Sequence, residues 1–144
     1  MLVLVGVSMS KLLSVSREAG FEERVRRFLE LAIRRYNRYR GVESTAKLLE
    51  VKGDVAYVVF EGSFCETCGI NDWVDDLKYV IEDLGGEAEL IAVVEPPSRD
   101  EFFDYRIGVF KIRKVPENLD ELEREEEELE KYFSHQNEEA AQRV

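Results

Sequence analysis

The sequence predicts an α+β fold in which helices cover one face of a largely antiparallel four-stranded sheet. Three observations support this prediction. The chain has 144 residues, of which 44% are hydrophobic and 35% charged, as in a single soluble domain. Its hydrophobic periodicity follows the order helix, strand, strand, helix, strand, strand, helix. The connections between these elements are short, so consecutive strands are expected to lie side by side and antiparallel.

The first helix is predicted over Phe21–Tyr39, where apolar residues recur every three or four positions and form one core-facing stripe. Gly41 follows as the expected stop signal. Arginines occupy the other side of this helix, and with Tyr36 and Tyr39 nearby they form a surface suited to tracking phosphates. A solvated face, or a partner for the acidic C-terminal helix of the same or another subunit, is the favoured interpretation. The arginines are Arg24, Arg27, Arg34, Arg35 and Arg38.

A hairpin and a second helix are predicted next. Thr45–Val51 and Val55–Glu61 have the composition of strands, and the Lys52-Gly53-Asp54 connection between them is typical of a short hairpin turn. The second helix is predicted over Ile70–Leu84, because its apolar residues are spaced by three and four. Gly85-Gly86 supplies its stop signal.

Two further strands are predicted in the second half of the chain. Glu87–Glu95 contains a continuous apolar run, which favours a strand buried on both faces. Asp104–Val115 carries Lys111, Arg113 and Lys114 towards its end, which favours an edge position or an exposed strand end.

The last helix is predicted to begin after Asn118, which can cap it, with Glu121 returning the bond three residues later. Its apolar residues would follow a seven-residue repeat, but Glu126 interrupts that stripe. The apolar members are Leu119, Leu122, Leu129 and Phe133.

Charge divides the chain into unequal parts. Residues 117–139 carry 11 acidic and 2 basic residues (net −9), residues 1–116 carry 20 and 17 (net −3), and Arg143 brings the total to −11. We therefore predict a flexible or loosely packed N-terminal segment (1–20), an α+β domain (21–116) and an acidic C-terminal helix and tail (117–144). An acidic tail repels phosphate, so the charge argues against nucleic acid. It favours solubility, as a solvated helix face, or alternatively a basic partner.

The composition predicts a cytoplasmic protein that does not associate with a membrane. The longest apolar opening, Leu2–Val7, is far shorter than the roughly 18 residues of a spanning helix. It also lacks the flanks of a secretory leader, and Met9 is an alternative start. Glutamine occurs twice and asparagine four times, while arginine and glutamate are abundant. This balance is typical of thermophilic proteins, in which intracellular disulfides also occur.

The chemically distinctive motif is a Cys-x-x-Cys pair, Cys65 and Cys68, in a loop between a predicted strand and a predicted helix. The spacing lets both sulfurs face one point, as a shared metal or a disulfide requires. A helix N-terminus favours the thiolate form. Neighbouring acidic residues oppose this effect by raising the pKa of the thiols, and no lysine or arginine lies between Gly53 and Lys78. The acidic neighbours are Glu66, Asp72, Asp75 and Asp76.

The number of available ligands limits what this pair can hold alone. A structural zinc or an iron–sulfur cluster usually has about four protein ligands, mainly cysteines. The chain has two cysteines and one histidine, His135, to which no role is assigned. Two subunits meeting at Cys65 and Cys68 would supply four thiolates about a twofold axis, which predicts a homodimer. The alternatives are a dithiol–disulfide couple within one chain, or two buried cysteines with a structural role only.

Residues 42–95 resemble the NifU carboxy-terminal-type domain, an iron–sulfur scaffold or carrier. That family has the order helix, strand, turn, strand, glycine, Cys-x-x-Cys, helix. The resemblance implies that Cys65 and Cys68 bind a cluster shared between subunits. This sequence departs from the family by one extra residue before the first cysteine and by a shift of about two positions in the helix pattern. The matching residues are Gly53, Gly62, Cys65, Cys68, Leu77-Lys78 and Ile81-Glu82.

The same stretch is also similar to thioredoxin-like proteins, which share the order strand, Cys-x-x-Cys, amphipathic helix, strand. In those proteins a βαβ crossover precedes the motif, whereas a hairpin is predicted here. The later segment Asp104–Val115 also lacks the proline that normally faces the cysteines.

Three functional hypotheses follow. The first is a non-enzymatic carrier or scaffold, in which Cys65 and Cys68 of two subunits hold an iron–sulfur cluster or zinc, with Phe64 and Trp73 excluding water. Trp73 itself is predicted to pack in the core. The second is a thiol–disulfide oxidoreductase in which Cys65 attacks and Cys68 resolves. The third is a chaperone-like protein-interaction module without chemistry, since the order of elements is similar to that of small acidic α+β dimers.

Overall fold

The computed structural model describes residues 9–40, 44–62, 70–95 and 105–142, with side chains for 20–40, 44–62, 73–95 and 105–136. The described elements follow the predicted order and confirm the α+β class. They are α1 (Met9–Arg40), β1 (Thr45–Lys52), β2 (Val55–Glu61), α2 (Ile70–Asp83), β3 (Glu87–Val94), β4 (Arg106–Lys114) and α3 (Leu119–Gln142).

The four described strands form one antiparallel sheet in the order β1-β2-β4-β3. The β1–β2 hairpin turns at Gly53, whose φ of 61° lies in the left-handed region that favours glycine. After α2, the amide of Gly86 donates to the carbonyl of Ile81 at 3.0 Å, so the glycine pair ends the helix as predicted. β1 and β3 are therefore the edge strands, and β2 and β4 are internal.

α1 and α2 cover one face of the sheet, and the hydrophobic core lies between the helices and this face. Close packing here depends on glycine at two positions. A Cβ on Gly108 would lie 2.7 Å from the ring of Phe110 and 2.9 Å from Val74, and one on Gly86 would lie 2.3 Å from the ring of Phe28. Fully buried core residues include Val25, Phe28, Leu29, Tyr36, Ala56, Val58, Phe60, Leu77, Ile81 and Phe110.

One prediction about strand positions was wrong, and another held for one of its two alternatives. β3 is an edge strand, not a strand buried on both faces, and its Ile91 and Val94 are 50% and 47% exposed. β4 is internal, between β2 and β3, although its basic residues Arg113 and Lys114 do lie at an exposed strand end. The continuous apolar run of β3 was misleading because α2 packs on one face of this strand only, and the apolar residues of its other face remain accessible.

The first helix begins at Met9, well before the predicted start at Phe21, so residues 9–20 are helical. The division of the chain at residues 20 and 116 otherwise stays a prediction. α3 begins one residue after Asn118, the predicted capping residue. None of the helices in the described ranges is both long and apolar enough to cross a bilayer.

Candidate functional site

Cys65 and Cys68 lie in residues 63–69, outside the described residues, but the structure describes both flanks of this segment. On one side β2 ends at Glu61 and is followed by Gly62, whose φ of 145° favours glycine. On the other side α2 begins at Ile70. The cysteines are therefore in the chain connection between an internal strand and a helix, as the sequence predicts.

The strand-side flank contains a buried arginine. Arg106 is the first residue of β4 and pairs in register with Phe60, two residues before Gly62. Its side chain is completely buried, and its Nη1 donates a 2.8 Å hydrogen bond to the carbonyl of Tyr105. A guanidinium keeps its positive charge when it is buried. The sheet end from which the cysteine segment departs therefore carries a buried guanidinium, which also has an interaction partner elsewhere in the chain.

The helix-side flank contains a second arginine. The guanidinium of Arg40, the last residue of α1, lies 4.7 Å from the ring centroid of Trp73. Arg40 Nη2 is also 2.7 Å from Asp76 Oδ2, so Asp76 is paired with a cation. Trp73 is half-buried and packs against the core, as predicted.

Tyr36 connects α1 to the same turn of α2. Its hydroxyl donates to the carbonyl of Trp73 at 3.0 Å and lies 2.8 Å from Ser44 Oγ, itself buried. Burial raises the pKa of Tyr36 to about 12, and the hydrogen bond with Ser44 opposes the shift. The phenol is therefore neutral at physiological pH and fixes the position of the beginning of α2.

These flanks change the electrostatic argument made from the sequence. In the sequence, the charged residues close to the cysteines are all acidic. The fold brings Arg106 and Arg40 to the residues that flank the cysteine segment 63–69. A cation favours the thiolate form of a cysteine at close range, and the charge of Arg40 is already shared with Asp76. Sequence reasoning missed both arginines because they lie more than 20 residues from the motif in the chain.

The described residues contain no candidate metal site of their own. Among them, no three or more histidine, cysteine, aspartate or glutamate side chains converge as a metal-binding group. His135 lies on α3 and has an interaction partner within the chain.

A second charged cluster joins α1 to α3, and we call it the α1–α3 ion-pair row. Arg27 contacts Asp120 at 2.7 Å and Glu123 at 3.0 Å, through Nη2 and Nε. Arg34 holds Glu130 with two bonds of 2.9 and 2.7 Å. The arginine side of α1 is thus paired with the acidic helix of the same chain, one of the two arrangements that the sequence favoured over phosphate binding.

Glu126 is the central carboxylate of this row and is completely buried. Arg35 Nε lies 3.2 Å from its Oε2, and Arg38 contacts its Oε1. The Arg38 guanidinium also lies 5.2 Å from the ring centroid of Tyr39 and 5.5 Å from that of Phe133. Glu126, which interrupts the predicted apolar stripe of α3, is therefore the carboxylate that Arg35 and Arg38 of α1 share.

Comparisons with protein-family models, with curated proteins and with solved structures gave no match.

Proposed function

We propose that the protein is a metal or iron–sulfur carrier in which Cys65 and Cys68 of two copies hold one cluster or one zinc ion. The observation that supports the proposal is the pair of arginines, Arg106 and Arg40, at the two flanks of the cysteine segment. Metal ligation by cysteine requires the thiolate, and cations beside a helix N-terminus favour it.

Two copies are needed because one copy has too few ligands. Closed zinc sites and iron–sulfur clusters usually take about four protein ligands, mainly thiolates. The chain contains two cysteines, and the part that the structure describes holds no metal-binding group of its own. Two copies related by a twofold axis would supply a four-thiolate set.

Anaerobic purification of the full chain, followed by metal analysis and a visible spectrum, tests the proposal. A shared zinc gives about half a metal ion per chain, and a shared cluster gives sulfur-to-iron absorption bands. Cys65→Ser and Cys68→Ser are each expected to lose the metal, whereas the wild type and a Ser63→Ala control retain it. Wild-type protein that stays metal-free after anaerobic reconstitution with iron and sulfide or with zinc would contradict the proposal.

A thiol–disulfide oxidoreductase is the second candidate, because the same cations favour thiolates and this chemistry needs one copy only. The Cys65 thiolate attacks a substrate disulfide and releases one substrate thiolate. Cys68 then displaces the second substrate sulfur from Cys65, which leaves a Cys65–Cys68 disulfide and a fully reduced substrate. A metal-free protein with a reduction potential of roughly −180 to −270 mV, as in known oxidoreductases, would favour this candidate.

A further inference from the structure

The side of α1 that α3 covers combines arginines with a leucine, and we call it the docking face. Each of its arginines contacts a carboxylate of α3, and its leucine is 1% exposed. The spacing by three, four and seven positions places these residues on one face of the helix. The members of the docking face are Arg27, Leu31, Arg34, Arg35 and Arg38.

α3 is anchored to the rest of the fold mainly at its start. Leu119 belongs to the hydrophobic core and Leu122 packs against it, but no described side chain of α3 after Leu122 does either. The main contact of α3 is with α1. From residue 123 onward the helices meet through the α1–α3 ion-pair row and through the contact of Arg38 with the ring of Phe133. Separation of this part of α3 would therefore leave the core intact.

α3 fills the docking face incompletely. A cleft of about 230 Å³ remains beside Leu31, between α1 and α3. The Nε and Nη2 atoms of Arg38 are buried and have no hydrogen-bond partner within the described part of the chain. Tyr132 and Phe133 of α3 stay 58% and 40% exposed. Unfilled space forfeits dispersion contacts, and a buried donor without an acceptor has lost its hydration without compensation. α3 is therefore a weak occupant of this face.

We propose that the docking face binds an acidic amphipathic helix of a partner protein, and that α3 occupies it within the chain as a reversible inhibitor. The partner helix carries carboxylates at intervals of three or four residues, with an apolar side chain between them. Arginines suit this ligand because a guanidinium binds a carboxylate with two parallel hydrogen bonds. Leu31 favours such a helix over the phosphate backbone of a nucleic acid, which would leave the leucine uncovered.

The connection between β4 and α3 gives α3 an advantage over any partner. Only residues 115–118 separate the two elements, so the effective concentration of α3 at the docking face is on the order of millimolar or higher. A partner sees the site only in the fraction of molecules from which α3 has separated, and its apparent affinity falls by that fraction. Substitutions that weaken the ion pairs of α3 should therefore tighten the binding of a second acidic helix. This inference does not rest on the proposed metal site.

Fluorescence anisotropy with the full chain tests the docking, with a labelled synthetic peptide of residues 117–142 as the second helix. Glu126→Gln/Glu130→Gln removes two carboxylates that contact the docking face and is expected to lower the Kd of the peptide at least about tenfold. Glu127→Gln/Glu128→Gln is the matched control, because it removes the same charge from exposed positions. It should leave the Kd within roughly twofold of the wild-type value.

Two further comparisons locate the contact and define the ligand. In the Glu126→Gln/Glu130→Gln background, Arg34→Ala should weaken peptide binding at least about fivefold, whereas Arg26→Ala, outside the docking face and beside Glu23, should not. A peptide of scrambled order and a single-stranded RNA should each bind at least about tenfold more weakly than the α3 peptide. Equal binding of the RNA and the α3 peptide would overturn the proposal, since the face would then recognise negative charge alone.

Hydrogen–deuterium exchange of the wild-type chain tests the displacement of α3 without any substitution. Excess peptide should raise the exchange of amides in residues 123–136 and leave β2 and β4 unchanged, because the peptide and α3 compete for one face. Unchanged exchange in α3 would overturn the proposal, as would equal Kd values for the two double variants.

Discussion

The two sides of α1 are held by different physical forces. The side that faces the sheet is apolar, with Phe28, Leu29 and Ala32 fully buried against the strands and α2. The side that faces α3 carries the α1–α3 ion-pair row, in which four arginines of α1 contact carboxylates of α3. The attachment of α3 should therefore respond to pH and charge substitution, whereas the packing of α1 on the sheet should not.

The largest expected effect is on the apolar side. Phe110→Ala removes a fully buried ring that lies 6.4 Å from the ring of Phe60, centroid to centroid. We expect a loss of about 4 kcal/mol in the free energy of unfolding, because both transfer and cavity terms contribute. Urea unfolding at low and high salt measures it, and the loss should be the same in both. A Tyr79→Ala control on the exposed side of α2 should change little.

On the ionic side, Glu126→Gln should have the largest effect. It leaves Arg35 and Arg38 without the carboxylate that they share, and removal of one partner of a buried pair costs on the order of 3 kcal/mol. Loss of α3 helicity in circular dichroism and faster proteolysis after Val115 would report the effect. The matched Glu127→Gln change, on an exposed neighbour, should leave both measurements near wild type. Equal behaviour of the two variants would mean that the ion-pair row does not hold α3.

The titration of Tyr36 predicts a loss of stability on the apolar side of α1 at alkaline pH. The folded-state pKa of about 12 is above the ordinary value of 10, so the unfolded chain releases this proton first. Its contribution to stability is present below pH 10 and is lost as the pH rises from about 10 through about 12, by on the order of 2 kcal/mol. Tyr36→Phe should remove this alkaline step, which unfolding curves at several pH values would detect. If Tyr36→Phe lost as much stability as the wild type over this pH range, the loss could not be assigned to Tyr36.

The smallest effect concerns Glu130. Its hydrogen bonds with Arg34 hold the pKa of the carboxyl below its usual value. A lowered folded-state pKa means that the stabilisation is present above the unfolded pKa of roughly 4.3 and is lost as the pH falls through the folded pKa. Both side chains are partly exposed to solvent, so Glu130→Gln should cost no more than about 0.5 kcal/mol at neutral pH. High salt should reduce the difference between wild type and variant, measured by urea unfolding.

The order of the elements and most of their ends could be predicted from the sequence, because the signals are local. The hairpin turn needs the left-handed backbone that Gly53 supplies, and Gly85-Gly86 ends a helix. Both positions therefore mark the ends of elements in the fold. The edge position of β3 could not be predicted from its apolar run, since the apolar residues on its face away from α2 resemble those of a core strand. Which strands are internal is a property of the pairing and not of any one segment.

The electrostatics of the candidate site were the least predictable. Arg106 and Arg40 reach the flanks of the cysteine segment only through strand pairing and through the packing of α1 on α2. From the sequence, Glu126 only interrupts an apolar stripe. The two arginines three positions apart on α1, Arg35 and Arg38, indicate where its ion-pair partners lie. The metal, the dimer and the roles of Cys65 and Cys68 stay predictions.

Native mass spectrometry of anaerobically purified full-length protein tests the central claim most directly, because one spectrum reports both chain number and bound metal. The account predicts a species of two chains with a single zinc ion or a single cluster, and Cys65→Ser/Cys68→Ser is expected to abolish the bound metal. A spectrum of metal-free single chains, identical for wild type and double variant after reconstitution, would contradict it.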